Sequence, residues 1–308
     1  FSGLIISSGT VKIGHVNALG TTNITVNPGG ILDLAGYNPQ VRGIYDSASL
    51  GAVTSGVITN SGALATLSII RANYGFGGTI AGPINVLIPS GGGSYQVLSG
   101  NNTYTGTTTI AGGSLELWNT NVLGTVSAGT FLTNGSLGMK GLQGVMTLAA
   151  EPLSVNGTCY FYLNTDSTLT NANWTGPITL VSNAVFNITR AGGAGKPSLI
   201  NLQGTITGAG GITKSDTNMV VMLSGANDFS GGTTLTSGFL LLGHPNGLGT
   251  GPVVLNTGVL DLNGNSATIG ALSGTTSGAI VDLSAGSGTN TLTINQATSS
   301  TATCAISN

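Results

Sequence analysis

His15 and His244 are the two histidines of the 308-residue chain, and paired imidazoles are a common nucleus for a metal site or for proton transfer near neutral pH. Cys159 and Cys304 are the two cysteines, enough for one disulfide. Among nine carboxylates, Asp261 and Asp282 stand 21 residues apart. If the chain returns on itself at that interval they stack, as a polysaccharide-cleaving acid–base pair or a calcium site would require. Gly192-Gly193-Ala194-Gly195-Lys196-Pro197-Ser198 brushes against the phosphate-loop pattern, but Arg190 stands where the first glycine belongs and Pro197 follows the lysine, so the pattern fails. Trp118, Trp174, Tyr104 and Phe229 supply rings that could stack on sugars if exposed.

Such groups act only if the fold holds them together, and the composition limits what that fold is. The chain has 52 Gly, 43 Thr, 30 Ser and 28 Asn, half of all residues, while charged residues are 5%. Soluble domains usually carry about 25% charged residues and about 7% Gly, so ordinary helical and α/β enzymes are disfavoured. Disorder is disfavoured too, because 40% of residues are hydrophobic, mean hydropathy is +0.35 and net charge is −2. The seven Lys and Arg are scattered from Lys12 to Lys214, which gives no basic patch for nucleic acid. The longest uncharged stretch, between Arg71 and Glu116, is broken by Gly77-Gly78, Pro83, Pro89 and Gly91-Gly92-Gly93, so no membrane-spanning helix of about 20 apolar residues is expected. Residue 1 is Phe and no basic-then-apolar run follows it; any signal peptide is expected to be removed or to lie outside this segment.

The informative feature is an internal repeat. Gly9-Thr10-Val11-Lys12-Ile13-Gly14-His15-Val16-Asn17-Ala18-Leu19-Gly20 aligns without a gap on the run Gly238 to Gly249, and again on Gly113 to Gly124. Upstream of two of these copies, Tyr104-Thr105-Gly106 matches Phe229-Ser230-Gly231, and Phe1-Ser2-Gly3 stands one residue nearer before the first. Further on, Gly30-Ile31-Leu32-Asp33-Leu34 recurs as Gly258-Val259-Leu260-Asp261-Leu262. The register divides the chain into an incomplete first unit, 1–100, a second, 101–224, and a third that stops within its unit, 225–308. Neither end carries a cap, so a segment of something longer, or a subunit abutting others, is expected.

Within a unit the apolar clusters are short and β-branched, as in Ile24-Thr25-Val26 and Thr107-Thr108-Thr109-Ile110, and recur at intervals of about ten residues. No sustained helical period appears. The expectation is an all-β chain. Tandem repeats favour a solenoid over a sandwich: three strands per coil of about 20 to 25 residues, with coils about 4.8 Å apart. Gly and Asn would serve the corners, where positive φ is needed.

In that frame most of the chemistry recedes. The two histidines occupy one equivalent slot, with Asn119 there in the middle copy, as suits a polar corner residue. Cys159 and Cys304 would be six or seven coils apart, about 30 Å, and a disulfide needs Cα atoms within about 7 Å; Cys304 also aligns with Gly78 and Gly204, as a tolerated small residue. Asp33 repeats Asp261 while Gly138 stands there in the second copy, so an edge position is the simpler reading of the aspartates. Six Asn-x-Ser/Thr sequons, at Asn23, Asn101, Asn134, Asn156, Asn173 and Asn187, are about what chance yields in a chain so rich in Ser and Thr. Tyr104 and Phe229 read as core or corner rings. Trp118 replaces Gly14 and Gly243 of the other copies and is the one candidate sugar contact.

The ordered motifs resemble the autotransporter-associated β-strand repeat. They comprise the aromatic residues Tyr104 and Phe229 with Gly106 and Gly231, the entry glycines Gly9, Gly113 and Gly238, and a corner of Asn17, Asn121 and Asn246, then Leu19, Leu123 and Leu248, then Gly20, Gly124 and Gly249. The resemblance implies a right-handed parallel β-helix passenger, exported across a Gram-negative outer membrane and displayed as an adhesive or structural stalk, with no catalytic residue and no cofactor or metal. It also implies an outer-membrane barrel, which does not follow Asn308. The leading expectation is a non-catalytic extracellular solenoid that continues in a longer chain and presents a surface to a carbohydrate or other cell-surface ligand. End-to-end self-association into a filament is the alternative. A polysaccharide-degrading β-helix is a third, and would need Asp261, Asp282 and a base such as Lys214 on one face.

Overall fold

The computed structural model describes residues 3–49, 51–70, 74–90, 95–140, 144–164, 169–181, 185–191, 198–274, 278–284, 290–297 and 299–307. The chain is all-β, with no helix among the described residues, and its strands ladder in parallel from coil to coil. It is a β-solenoid. Contacts divide it into two compact units, Phe1–Leu142 and Gln143–Asn308.

In the first unit each coil visits three faces in turn. Leu4–Ile6, Asn23–Val26 and Gly43–Tyr45 pair along one face, and Tyr74–Phe76, Tyr95–Leu98, Ser114–Leu117 and Ser136–Met139 form a second run of parallel strands. Gly9–Lys12, Gly30–Asp33, Val57–Thr59 and Thr79–Gly82 make another face. Ala65–Ile69, Ile84–Pro89, Thr108–Ala111 and Thr130–Thr133 make the third. The step between partners is 19 residues from Tyr95 to Ser114, 22 from Val86 to Thr108 and 28 from Gln40 to Ser68, and in the second unit 27 from Cys159 to Phe186 and 28 from Ile178 to Ile206, so several coils exceed the expected length. A consequence invisible in the alignment is that Gly9–Lys12 and Ser114–Leu117, equivalent in the repeat, lie on different faces. The repeat is not a whole number of coils.

Alternation decides what is inside. Ile84–Pro89 reads buried then half-buried along its length, as a strand with one face in a core must. Like residues then stack in columns: Leu32, Ile58 and Ile80 on one face, Ile88, Ile110 and Leu132 on another, all buried. In the second unit the corresponding column is Ile200, Val221, Leu240, Leu260 and Val281, each fully buried. Phe161 adds aromatic mass there, edge-on to Trp174 with centroids 5.7 Å apart and tilted against Phe186 at 5.5 Å. Strands Gly211–Leu223 and Thr233–Leu242 run through a corner where the register shifts between Lys214 and Val220.

Corners interrupt the ladder, and buried amides repair it. Asn102 accepts the N–H of Ile80 at 2.8 Å and donates to the carbonyl of Val122 at 2.7 Å, linking the coil before to the coil after. Asn227 does the same between Ile206 and Gly247, at 2.8 and 2.7 Å. Asn60 accepts from Gly36 and donates to Pro83. Where Gly43–Tyr45 and the later strands leave a gap, Gln96 exchanges both bonds with the backbone of Ile44, at 3.3 and 3.1 Å. All four are buried, so removing the amide strands groups that water cannot reach.

Asn102→Leu and Asn227→Leu keep the volume and delete the bonds. Each is expected to lower the stability of its segment by about 2–6 kcal/mol, two orphaned groups at about 1–3 kcal/mol each, while exposed Asn101→Ala changes it by less than about 0.5 kcal/mol. Urea unfolding read with amide exchange at Ile80 and Ile206 checks this; equal effects from Asn101 and Asn102 would refute the bridging role.

Candidate functional site

The two histidine corners have one construction. Nδ1 of His15 accepts the N–H of Asn17 at 3.1 Å, and Nδ1 of His244 accepts that of Asn246 at 3.0 Å. Below each, the carbonyl of Asn17 or Asn246 accepts the N–H of Gly20 or Gly249, at 3.1 Å in both. In the middle copy Asn119 closes its corner through an amide oxygen that accepts the N–H of Thr120. Asn17, Asn121 and Asn246 are exposed, while Leu19, Leu123 and Leu248 turn inward and are buried. Each imidazole is a local cap, and among the described residues no group of three or more His, Cys, Asp or Glu gathers as a metal site would require.

Tyr104 and Phe229 are fully buried, and each lies beneath the glycine that ends the following corner. A Cβ on Gly124 would stand 2.7 Å from the Tyr104 ring, and one on Gly249 would stand 3.0 Å from the Phe229 ring. Those glycines also hold φ of 75° and 70°, so both space and backbone demand glycine there. Phe1, the equivalent ring for Gly20, lies outside the described residues. Gly106 and Gly231 back directly onto the coil before, where a Cβ would meet Ile84 and Gly210 backbone atoms at 2.3 and 2.4 Å. Gly9 and Gly238 have positive φ, whereas at the second copy the left-handed residue is Gly112, one before Gly113.

Trp118 departs from the sugar-stacking expectation. Its ring is 9% exposed, its Nε1 donates to Glu116 at 3.0 Å, and the Lys140 ammonium sits 4.4 Å from its centroid. On another side the ring packs so close to Gly51 that a Cβ there would come within 2.3 Å. An indole in a glycine slot was pulled under cover by that void and by its own hydrogen bond, and offers no open face. Trp174 is fully buried in the second unit.

Asp261 and Asp282 do stack: they are in-register partners on adjacent strands. Their oxygens are engaged as turn caps, Asp261 accepting from the N–H of Asn263 at 2.6 Å and Asp282 from the N–H and hydroxyl of Ser284 at 2.9 and 2.6 Å. Those Ser284 bonds hold the Asp282 carboxyl below the usual carboxylate range. Asp33 makes the same turn to Ala35 and also takes both donors of Ser61. Burial pushes its carboxyl up, but the Ser61 and Ala35 bonds and Lys12 at 3.6 Å outweigh that and leave it lowered. Lys214 does not join the aspartates. It turns inward, fully buried, and its ammonium donates to the carbonyl of Asp216 on its own strand and to that of Ser237 on the next coil. Burial pulls it down to about 8, with Asp216 opposing.

Cys159 and Cys304 are both free thiols. Gly204 precedes Ile206–Gly208 and Cys304 leads into Ala305–Ser307, which pairs with Ala279–Asp282. Residues 192–197 of the failed phosphate loop lie outside the described residues. The residues that sequence reading missed are Asn102 and Asn227; the available signal was that both copies keep Asn there while the neighbours change from Asn101 to Ala226 and from Thr103 to Asp228.

Residues 91–117 and 212–242 match the family described as the passenger-associated-transport-repeat. The chain is 27% identical over 251 residues, 79% of its length, to the adhesin BmaC autotransporter of Brucella suis biovar 1 (strain 1330). Two stretches of the chain are thus passenger-associated repeats. The chain spans about 6% of the length of that relative, and no solved structure matches it. The matched stretches of this repeat protein carry its inter-coil machinery: Asn102, Tyr104 and Gly106 in one, Lys214, Asn227, Phe229 and Gly231 in the other.

Lys214 makes the repeat protein's stability pH-dependent with a defined sign. Burial pulls the folded ammonium down to about 8 from its ordinary value of 10.5, so between those values the unfolded chain binds more protons and stability rises with pH; below about 8 the penalty is fully present. Subtracting the Lys214→Met profile from wild type should leave that rise alone. A flat difference between pH 8 and 10.5 would show that the buried amine is not strained.

Proposed function

We propose that the chain is a stretch of an extracellular passenger displayed at the outer surface of a Gram-negative cell, where a non-catalytic solenoid spans distance and presents an adhesive surface. The observation that carries the reading is the pair of passenger-associated repeats, whose residues are the ones that tie coil to coil. The similarity to an autotransporter adhesin supports it. So does the use of the titratable groups: the histidines, Asp33, Asp261 and Asp282 cap turns, and Lys214 is sealed inside.

A second reading, end-to-end coil stacking onto a longer chain or another copy, draws on Ile306 and Ile294. They are 66% and 42% exposed although their ladder partners Val281 and Ile269 are buried. A further coil would cover them.

An antibody raised against this chain is expected to label intact cells of the source organism without permeabilisation, and an in-frame deletion of these residues to reduce adhesion at unchanged display of the remaining passenger. Labelling only after permeabilisation would overturn the reading, as would turnover of a glycan that Asp261→Asn abolishes.

A further inference from the structure

We infer that one face of the second unit carries a binding cleft for a neutral oligosaccharide; this rests on the adhesive reading and names its ligand class. Tyr160, Asn187, Thr213 and Thr234 are successive in-register partners on four coils, so they form a column about 14 Å long at about 4.8 Å per step. All four point outward, between inward residues such as Cys159 and Phe161 or Ile212 and Lys214. Beside Thr213 and Thr234 opens a cleft of about 440 Å³, walled by Val185, Gly211 and Gly232. Val185 is 38% exposed and Tyr160, at the head of the column, 46%.

Three features select the ligand. The cleft lining and the column contain no charged residue, so neither an anion nor a cation finds a counter-charge. The wall's backbone is already paired, with Ile212 N–H on the Gly232 carbonyl and Gly231 N–H on the Gly210 carbonyl, so an extended peptide could not add as a strand. What is free is a ring and a row of neutral polar groups: among the described residues, the hydroxyls of Thr213 and Thr234 take no partner within the protein, and Asn187 uses only its NH2, on the Cys159 carbonyl at 3.2 Å. A sugar uses that combination, with the apolar face of one ring on Tyr160 and its hydroxyls on Asn187, Thr213 and Thr234. The site is distinct from Trp118, whose ring is covered.

The test is titration of the purified chain with maltohexaose, xylohexaose and chitohexaose, with a heparin hexasaccharide as the charged control, read by calorimetry and ligand-observed NMR. At least one neutral hexasaccharide is expected to bind. Tyr160→Ala should weaken it about tenfold or more, Tyr160→Phe by less than about threefold, and the double variant Thr213→Val/Thr234→Val about tenfold. Unchanged circular dichroism of these outward variants would show that the loss is local. Binding of none of the neutral probes, binding of heparin alone, or neutral binding indifferent to Tyr160 and to the threonine pair would each overturn the cleft. Failure here with surface labelling intact removes the cleft and leaves the passenger reading; binding without surface labelling does the reverse.

Discussion

Each coil of this protein is held to the next by parallel backbone hydrogen bonds, continuous along the strands and intermittent at the corners, where some persist, as from Gly231 N–H to the Gly210 carbonyl. Between those bonds, donors and acceptors that face the interior have no water to turn to. Asn60, Asn102 and Asn227 resolve this with one device: an amide whose oxygen takes an N–H from the preceding coil and whose nitrogen gives to the following one. Gln96 does the equivalent where an insertion opens the face beside Ile44. With charge at 5%, ion pairs contribute little, and satisfied amides are what keep the thin core polar-safe.

The same constraint accounts for the repeat's most recognisable residues. Tyr104 and Phe229 fill the interior beneath a corner, and Gly124 and Gly249 close over them at a distance no side chain would allow. The histidines and aspartates that first suggested chemistry cap neighbouring N–H groups instead. Outward residues in register form columns of their own. In a solenoid such a column repeats at each coil, so Tyr160, Asn187, Thr213 and Thr234 line up although their sequence neighbours have little in common.

Strand content, the shared corner of His15 and His244, and the stacking of Asp261 on Asp282 were all legible in the sequence, because each depends on spacing within one coil or on a motif present in more than one copy. Three things were decided only in three dimensions. The face on which each repeat falls depends on the summed lengths of the coils before it, and corners absorb insertions at small entropic cost, so the 28-residue step from Gln40 to Ser68 leaves no local mark. The burial of Trp118 depends on Gly51, a contact between segments with no shared motif. Whether Lys214 or Asn102 points into the core rather than to water is set by the neighbouring coils that surround it, and a polar letter in a strand reads the same either way.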